Sequence, residues 1–164
     1  PLRLRSALGR GTAFSLRLPI IAPPAQIAPA PQTKPDGAGL DGLRVLIVDN
    51  DPAALDALRA ILESWRCDVA AVADGEAAQA RLAAGEGGDV WLFDYHLDDG
   101  DTGVALRDRL ADTYGARPTL ILSADDSGDV RRIALEHGLG LLPKPAKALA
   151  LKSMLRRLLT ARAA

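Results

Sequence analysis

The stretch LRVLIVDNDP, residues 43–52, passes from an apolar run directly into acidic and amide side chains followed by a proline. Four further apolar runs follow along the chain: VAAV at 69–72, VWLF at 90–93, TLIL at 119–122 and LGLL at 139–142. Short, nearly unbroken apolar runs are typical of strands that are buried on both faces of a sheet. The sequence therefore predicts five buried strands.

Amphipathic segments lie between and after these runs. Their apolar residues recur at helical intervals in three stripes: Leu55, Leu58, Ile61, Leu62 and Trp65; Val130, Ile133, Ala134 and His137; Leu151, Leu155, Leu158 and Leu159. Asp51 followed by Pro52 is the pattern of a helix N-cap and first helical residue, and Gly138 is placed to end a helix. Parallel strands need crossover connections of this kind, which are right-handed. We therefore predict an α/β fold: a doubly wound, five-stranded parallel sheet with helices on both faces.

The composition excludes several classes of protein. The 164 residues suit one domain with tails, and 20 basic against 21 acidic residues give no general attraction to nucleic acid. A single cysteine excludes an intramolecular disulfide framework and a multi-cysteine zinc site, and it fits a reducing compartment. No apolar stretch reaches the roughly 18 to 20 residues of a membrane helix. We expect a cytoplasmic segment without membrane contact, and we leave open whether the parent protein is membrane-anchored.

The chain changes character near residue 42. Six of its eleven prolines fall between Pro19 and Pro35, where hydrophobic periodicity is lost. Residues 1–42 carry five basic and two acidic side chains, whereas the remainder is acidic. We therefore divide the chain into a leader at 1–20, an extended linker at 21–41 and a folded domain at 42–164. Because the chain begins with Pro1 rather than Met, we expect it to be a piece of a longer protein.

Polar side chains follow the predicted strands at the points where the strands end. Asp49 follows the first strand, Asp94 the third, Ser123 the fourth and Lys144 the fifth. In open α/β sheets, binding sites form beyond the carboxyl ends of the strands. Neighbouring carboxylates favour a hard cation such as Mg²⁺, while a lysine and a hydroxyl suit a phosphate-like group. The pattern predicts phosphoryl chemistry with Asp94 as the nucleophile.

Four motifs in order carry a resemblance to a known family. The runs VLIVDNDP, WLFDYHLDDGDTG, ILSAD and LLPKP each follow a predicted strand, and together they resemble the receiver domain of two-component response regulators over about residues 43–161. The resemblance implies the flavodoxin-like (βα)5 fold with strand order 2-1-3-4-5.

The same resemblance implies a role for each matching residue. Asp94 would be the phosphoacceptor, Lys144 the phosphate contact and Ser123 the switch hydroxyl. The metal ligands for Mg²⁺ would be Asp49, Asn50, Asp94 and the backbone carbonyl of His96. A cis Lys144-Pro145 bond is also implied. The implied partners are the phosphotransfer domain of a histidine kinase or a His-containing phosphotransfer protein, and a weak homodimer is left open.

Two positions depart from the family pattern. Position 50 is Asn where most receivers have a second acid, so we expect weaker Mg²⁺ affinity, with Asp51 as a candidate to compensate. The Asp51-Pro52 pattern nevertheless favours a helix cap over a metal ligand for Asp51. Leu141 stands where many receivers place an aromatic residue that turns inward on phosphorylation, so the usual switch lacks its aromatic half.

Two other functions stay open from the sequence. A degenerate receiver could act as a regulatory interaction domain independently of phosphorylation, which Asn50 and Leu141 favour. A nucleotide-dependent α/β enzyme would need a glycine-rich turn after the first strand, and this chain has Asp-Asn-Asp-Pro at that point.

The leader carries a second resemblance. SALGRGTAFSLRLPI, residues 6–20, is similar to the end of a histidine kinase ATP-binding domain, where a Gly-x-Gly-Thr-x-Phe run leads into the last strand. Kinase remnant, linker and receiver in this order imply the C-terminal part of a hybrid sensor histidine kinase. The fragment itself would be a phosphoacceptor without ATP-dependent kinase activity.

Overall fold

This computed structural model describes residues 2–7, 9, 11–16, 39–125 and 127–162, which form two compact units divided between Asp36 and Gly37. In the first unit, strands β1 (Leu2–Ala7) and β2 (Gly11–Leu16) pair as an antiparallel hairpin. Strand β2 lies within the segment that carries the kinase resemblance, and β1 was not predicted. The assignment of residues 1–20 to a kinase domain stays a prediction. Most of the predicted linker, at 21–38, lies outside the described residues.

The second unit contains a five-stranded parallel sheet and five helices. Its strands are β3 (Arg44–Val48), β4 (Asp68–Val72), β5 (Val90–Asp94), β6 (Thr119–Ser123) and β7 (Gly140–Pro143). Its helices are α1 (Pro52–Ser64), α2 (Gly75–Ala83), α3 (Gly103–Tyr114), α4 (Gly128–Glu136) and α5 (Ala148–Arg162), with a 3₁₀ turn at Asp98–Gly100. No helix of the described residues is long and apolar enough to span a bilayer.

The sheet has the order β4-β3-β5-β6-β7, which confirms the predicted order 2-1-3-4-5. Each predicted apolar run coincides with a strand to within one residue at either end. The parallel register places Val48 beside Phe93 and Asp94 beside Leu122, so the strands end at nearly the same level. This common edge is where the polar residues after each strand gather.

Alternate residues of the strands enter two separate cores. Val45 and Ile47 pack with apolar residues of α1 and α5 on one face, whereas Leu46 and Val48 pack with those of α2, α3 and α4 on the other. Both faces of the sheet are therefore covered, as its unbroken apolar runs predicted.

The core on the α1 and α5 face extends beyond the predicted domain boundary. Leu40, which we assigned to the linker, is only 3% exposed and packs in this core. Its carbonyl oxygen accepts a hydrogen bond from the Cys67 thiol, with Sγ 3.3 Å away. The folded domain therefore includes Leu40, because this side chain covers apolar surface at the start of the sheet. Cys67 itself is buried and acts here as a small apolar group.

Candidate functional site

Four of the predicted site residues lie at the carboxyl edge of the sheet. Asp49 follows β3, Asp94 ends β5, Ser123 ends β6 and Lys144 follows β7. These four strands are consecutive neighbours in the sheet. The main chain joins the last two, since Lys144 N donates to Ser123 O at 2.7 Å. The order of the strands, rather than proximity in sequence, brings the four residues to one edge.

An ion cluster forms the centre of this edge. Lys144 Nζ lies 2.6 Å from Asp49 Oδ2 and 2.9 Å from Asp94 Oδ1. The Asp49 side chain is fully buried, that of Asp94 is 8% exposed and that of Lys144 is 20% exposed. Two carboxylates in such a setting repel each other, and the single ammonium between them offsets this repulsion.

The local chain fixes the orientation of Asp49. Its Oδ1 accepts a hydrogen bond of 3.0 Å from Asp51 N, in the turn that leads into α1. Its Oδ2 is buried and pairs with the Lys144 ammonium 2.6 Å away. One oxygen is therefore held by the main chain, and the other is held by the lysine.

Burial and charge act in opposite directions on the ionisable groups of the cluster. Burial raises the pKa of Asp94, and the nearby Asp49 carboxylate adds to this effect, whereas the Lys144 ammonium opposes it. For Lys144, burial alone would lower the pKa, but the two carboxylates outweigh it and raise the pKa. The ammonium is therefore held in its charged form, and Asp94 is more basic than an ordinary aspartate, which favours a nucleophilic role.

Ser123 is buried beside this cluster, with 2% of its surface exposed. Its Oγ accepts a hydrogen bond of 3.1 Å from Asp125 N. Asp125 in turn accepts from Ser127 N at 2.8 Å, and the hydrogen bonds from Ser127 lower the pKa of Asp125. The Ser123 hydroxyl can still donate its own hydrogen, because a hydroxyl both donates and accepts.

Two of the predicted metal ligands lie at the rim rather than in the cluster. Asn50 is exposed, and its Nδ2 donates a hydrogen bond of 2.6 Å to Asp98 Oδ1. His96 is also exposed; its ring lies edge-on to that of Tyr95, and its main chain forms an isolated bridge with Thr102. The roles of Asn50 and of the His96 carbonyl in metal binding stay predictions.

Asp51 is a helix cap, as its sequence context favoured. Its side chain accepts a hydrogen bond of 2.9 Å from Ala53 N at the first turn of α1. This bond satisfies a main-chain donor that the helix leaves without an internal partner. His137 likewise occupies the C-cap of α4, where its Nδ1 lies 3.0 Å from Asp108 Oδ2.

Sequence reasoning missed the glycine that supports the end of strand β5. Gly103 begins α3, and its N donates to Tyr95 O at 3.0 Å. A Cβ on Gly103 would lie 2.2 Å from Asp94 O, closer than atoms can approach. The absence of a side chain therefore lets α3 pack against the end of β5. The run DTG contains this glycine, but nothing in one sequence distinguishes it from an ordinary helix start.

The oxygen donors at this edge fit a magnesium ion. Two carboxylates, an amide and a main-chain carbonyl are hard ligands of the kind that Mg²⁺ prefers. Two buried carboxylates share a single ammonium, and this excess of negative charge is the observation that favours a cation here. Within the described part of the chain, no group of three or more His, Cys, Asp or Glu side chains is arranged to hold a metal. A site here therefore depends on amide and carbonyl oxygens, since it has only two carboxylates.

Comparison with known proteins identifies the domain that carries this edge. Residues 45–156 match the family model described as the response regulator receiver domain. The chain belongs to this family. Its receiver domain is similar to Sensor protein TorS of Escherichia coli K12, with 30% identity over 82% of the chain and 14% of TorS. It is also similar to the two-component response regulator ORR21 of Oryza sativa subsp. indica, with 31% identity over 73% of the chain and 18% of ORR21.

Solved receiver structures agree with this assignment. The chemotaxis response regulator CheY4 of Vibrio cholerae superimposes with a TM-score of 0.63 and 25% identity, over 71% of this chain and 98% of CheY4. The family resemblance and the flavodoxin-like receiver fold predicted from the sequence are thus confirmed. The chain spans less than a fifth of the length of the curated relatives described above.

The predicted cis bond is present as well. The Lys144-Pro145 peptide is the cis peptide bond of the described residues. It lies directly after β7, next to the ammonium that bridges the two carboxylates.

Proposed function

We propose that this receiver domain of two-component phosphorelay signalling accepts a phosphoryl group from a phosphohistidine onto Asp94, with Mg²⁺ bound beside it. The observation that supports this proposal is the ion cluster at the end of the central strand. Asp94 lies there as a nearly buried carboxylate, 2.9 Å from a lysine ammonium and next to a second buried carboxylate.

Phosphoryl transfer to Asp94 forms one bond to phosphorus and breaks another. A carboxylate oxygen of Asp94 forms the new bond to phosphorus, and the bond between phosphorus and the donor imidazole breaks. The imidazole leaves with the electron pair and takes up a proton, so Asp94 becomes an acyl phosphate. The Lys144 ammonium then pairs with phosphoryl oxygens, and the Ser123 hydroxyl donates to one of them.

A bound Mg²⁺ would neutralise the charge that develops on the phosphoryl oxygens. Asp49 and Asp94 would hold it through their carboxylates, with the Asn50 amide oxygen and the His96 carbonyl at the rim. Receiver domains generally bind Mg²⁺ at their acidic pocket. Because Asn50 supplies no charge, the ion would be held less tightly here than beside a third carboxylate.

The donor can approach over α1. An apolar groove of about 480 Å³ lies directly beside Lys144, lined by α1 residues such as Ala54, Ala57 and Ile61 and by Pro145. A phosphohistidine must reach Asp94 from this edge, and the groove offers a surface for the element that carries it. The donor we propose is the phosphotransfer domain of a histidine kinase or a His-containing phosphotransfer protein.

We further propose that the parent protein is a hybrid sensor histidine kinase. The TorS match covers 82% of the chain, which is more than residues 42–164 contain, so it extends into the segment that precedes the receiver. The matches to plant response regulators cover less of the chain. Residues 1–20 would then be the remnant of the kinase domain, and the cytoplasmic location would follow from that context.

Phosphorylation by small donors tests the proposed function. Acetyl phosphate or phosphoramidate, whose P–N bond mimics that of phosphohistidine, is added to the full chain with MgCl₂. We expect an adduct of about 80 Da, the mass of HPO₃, in intact-mass spectrometry. The adduct is expected not to form with Asp94→Asn, nor with the wild type when EDTA is present from the start. An unmodified wild-type chain would instead favour a phosphorylation-independent interaction domain.

A further inference from the structure

A groove beside Ser123 carries the inference. It has a volume of about 400 Å³ and is lined by Ser123, Asp125, Leu141, Pro143 and Arg131. Arg131 is the only arginine or lysine among these five lining residues. The groove therefore connects the Ser123 hydroxyl at the site to a guanidinium on helix α4.

Arg131 differs from the arginine next to it. Arg132 lies between two acidic side chains of its own helix, 3.3 Å from Asp129 and 3.1 Å from Glu136. Among the described residues, Arg131 forms no ion pair, and its side chain is exposed. Its guanidinium is thus not committed to a neighbouring carboxylate on α4 and is available to respond to a new charge.

Leu141, which also lines the groove, cannot respond to a new charge. Leu141 on β7 is only partly buried, and its side chain carries neither a charge nor a hydrogen-bonding group. Phosphorylation of Asp94 would add a charge of about −1.5 to −2 next to Ser123. The Ser123 hydroxyl can donate a hydrogen bond to the phosphoryl group, and the Arg131 guanidinium is the cationic group of this lining that the new charge attracts.

We propose that Arg131 is the charge-sensing residue of this receiver: its guanidinium enters the groove beside Ser123 when Asp94 is phosphorylated and stabilises the phosphorylated form. The phosphoryl group then lies between two cationic side chains, Lys144 on the β7 side and Arg131 on the α4 side. Because Arg131 lies at the end of the first turn of α4, its movement couples phosphorylation of Asp94 to the position of that helix. This inference rests on the proposed function of Asp94.

Binding of beryllofluoride, a phosphoryl mimic, tests the proposal without a need for turnover. The full chain is titrated with beryllofluoride in the presence of MgCl₂, and the bound species is followed by ¹⁹F NMR. We expect Arg131→Gln to weaken binding by about two- to fivefold, the size of an exposed ion pair. Arg132→Gln is the matched control, and we expect its effect to be less than about twofold.

Two further measurements distinguish charge sensing from a structural role. Arg131→Lys is expected to bind beryllofluoride nearly as tightly as the wild type, because it keeps the charge. The difference between wild type and Arg131→Gln is expected to shrink as the salt concentration rises, since exposed charges are screened. A purely structural role would show neither the rescue by lysine nor the salt dependence.

The outcomes separate the two proposals. Equal binding by Arg131→Gln and Arg132→Gln, with a wild type that binds, overturns the role of Arg131 and leaves the phosphoacceptor function intact. A wild type that does not bind beryllofluoride with MgCl₂ overturns the proposed function itself, together with the inference that rests on it.

Discussion

Replacement of Lys144 by methionine is the sharpest test of how the site is held together. The variant keeps the length of the side chain but removes the ammonium that lies 2.6 Å from Asp49 and 2.9 Å from Asp94. Two carboxylates with at most 8% exposure then face each other without a counter-charge. We expect the folded state to lose stability, because this repulsion is absent from the unfolded chain.

The size of this stability loss follows from the burial of Lys144, Asp49 and Asp94. Removal of one partner from a fully buried ion pair costs about 3 to 5 kcal/mol. The Lys144 side chain is 20% exposed, so water screens part of the interaction, and we expect a loss of about 2 to 4 kcal/mol. With a urea dependence of about 2 kcal/mol per molar, the unfolding midpoint would fall by roughly 1 to 2 M.

Urea unfolding at neutral pH, followed by circular dichroism, measures this loss. Lys147→Met is the control, since Lys147 lies in the same loop and is exposed; its midpoint is expected to stay within a few tenths of a molar. Added MgCl₂ is expected to restore more stability to Lys144→Met than to the wild type, because the cation replaces the missing charge. Equal losses in the two lysine variants would refute the reasoning.

Three further predictions follow from individual contacts. Asn50→Asp is expected to bind Mg²⁺ several-fold more tightly in isothermal titration, because it adds a carboxylate at the rim. Gly103→Ala is expected to lower the unfolding free energy by at least about 2 kcal/mol, since its Cβ would lie 2.2 Å from the carbonyl oxygen that ends β5. Gly128→Ala, at the first position of α4 with open space around it, is expected to be neutral or slightly stabilising. The hydrogen bond from Arg109 lowers the pKa of Asp101, so this pair stabilises the fold above about pH 4 and less as the pH falls through the lowered pKa. Arg109→Gln is expected to flatten that acid limb of a stability profile.

Each of these expectations has a result that would contradict it. Unchanged Mg²⁺ affinity in Asn50→Asp would show that position 50 does not contribute to the ion. Similar melting temperatures of the two glycine variants would show that α3 can shift away from β5 at little cost. An acid limb of the same slope in Arg109→Gln would assign the pH dependence to other carboxylates.

The strands were predictable from the sequence because they are buried on both faces. The run at 90–93, for example, became Val90–Asp94, whose five residues are all buried. The middle of such a strand excludes polar residues, so the first polar residue after each apolar run marks where the functional edge begins. This is why Asp49, Asp94, Ser123 and Lys144 could be selected before the fold was known.

Other features of the fold and the site could not be predicted, because they depend on contacts between segments that are distant in the sequence or on weak local patterns. Helix α2 was not singled out, because its small residues form only a weak apolar stripe, with Ala78 and Leu82 as its buried members. The contact between Asn50 and Asp98 joins loops 48 residues apart, and its existence depends on the conformation of both. The groove at Arg131 likewise arises where α4 passes β7, which only the packed structure defines.

The buried thiol of Cys67 can report local opening of this domain, because it reacts only when it becomes exposed. It is the sole cysteine of the chain, and burial raises its pKa, so little reactive thiolate forms while the fold is closed. A thiol reagent reaches Cys67 only when the residues packed around it, which include Leu40 and Leu62 of α1, move away. The rate of Cys67 labelling therefore measures how often this region opens. A lower labelling rate with a bound phosphoryl mimic would show that modification at one end of the sheet stabilises the other end.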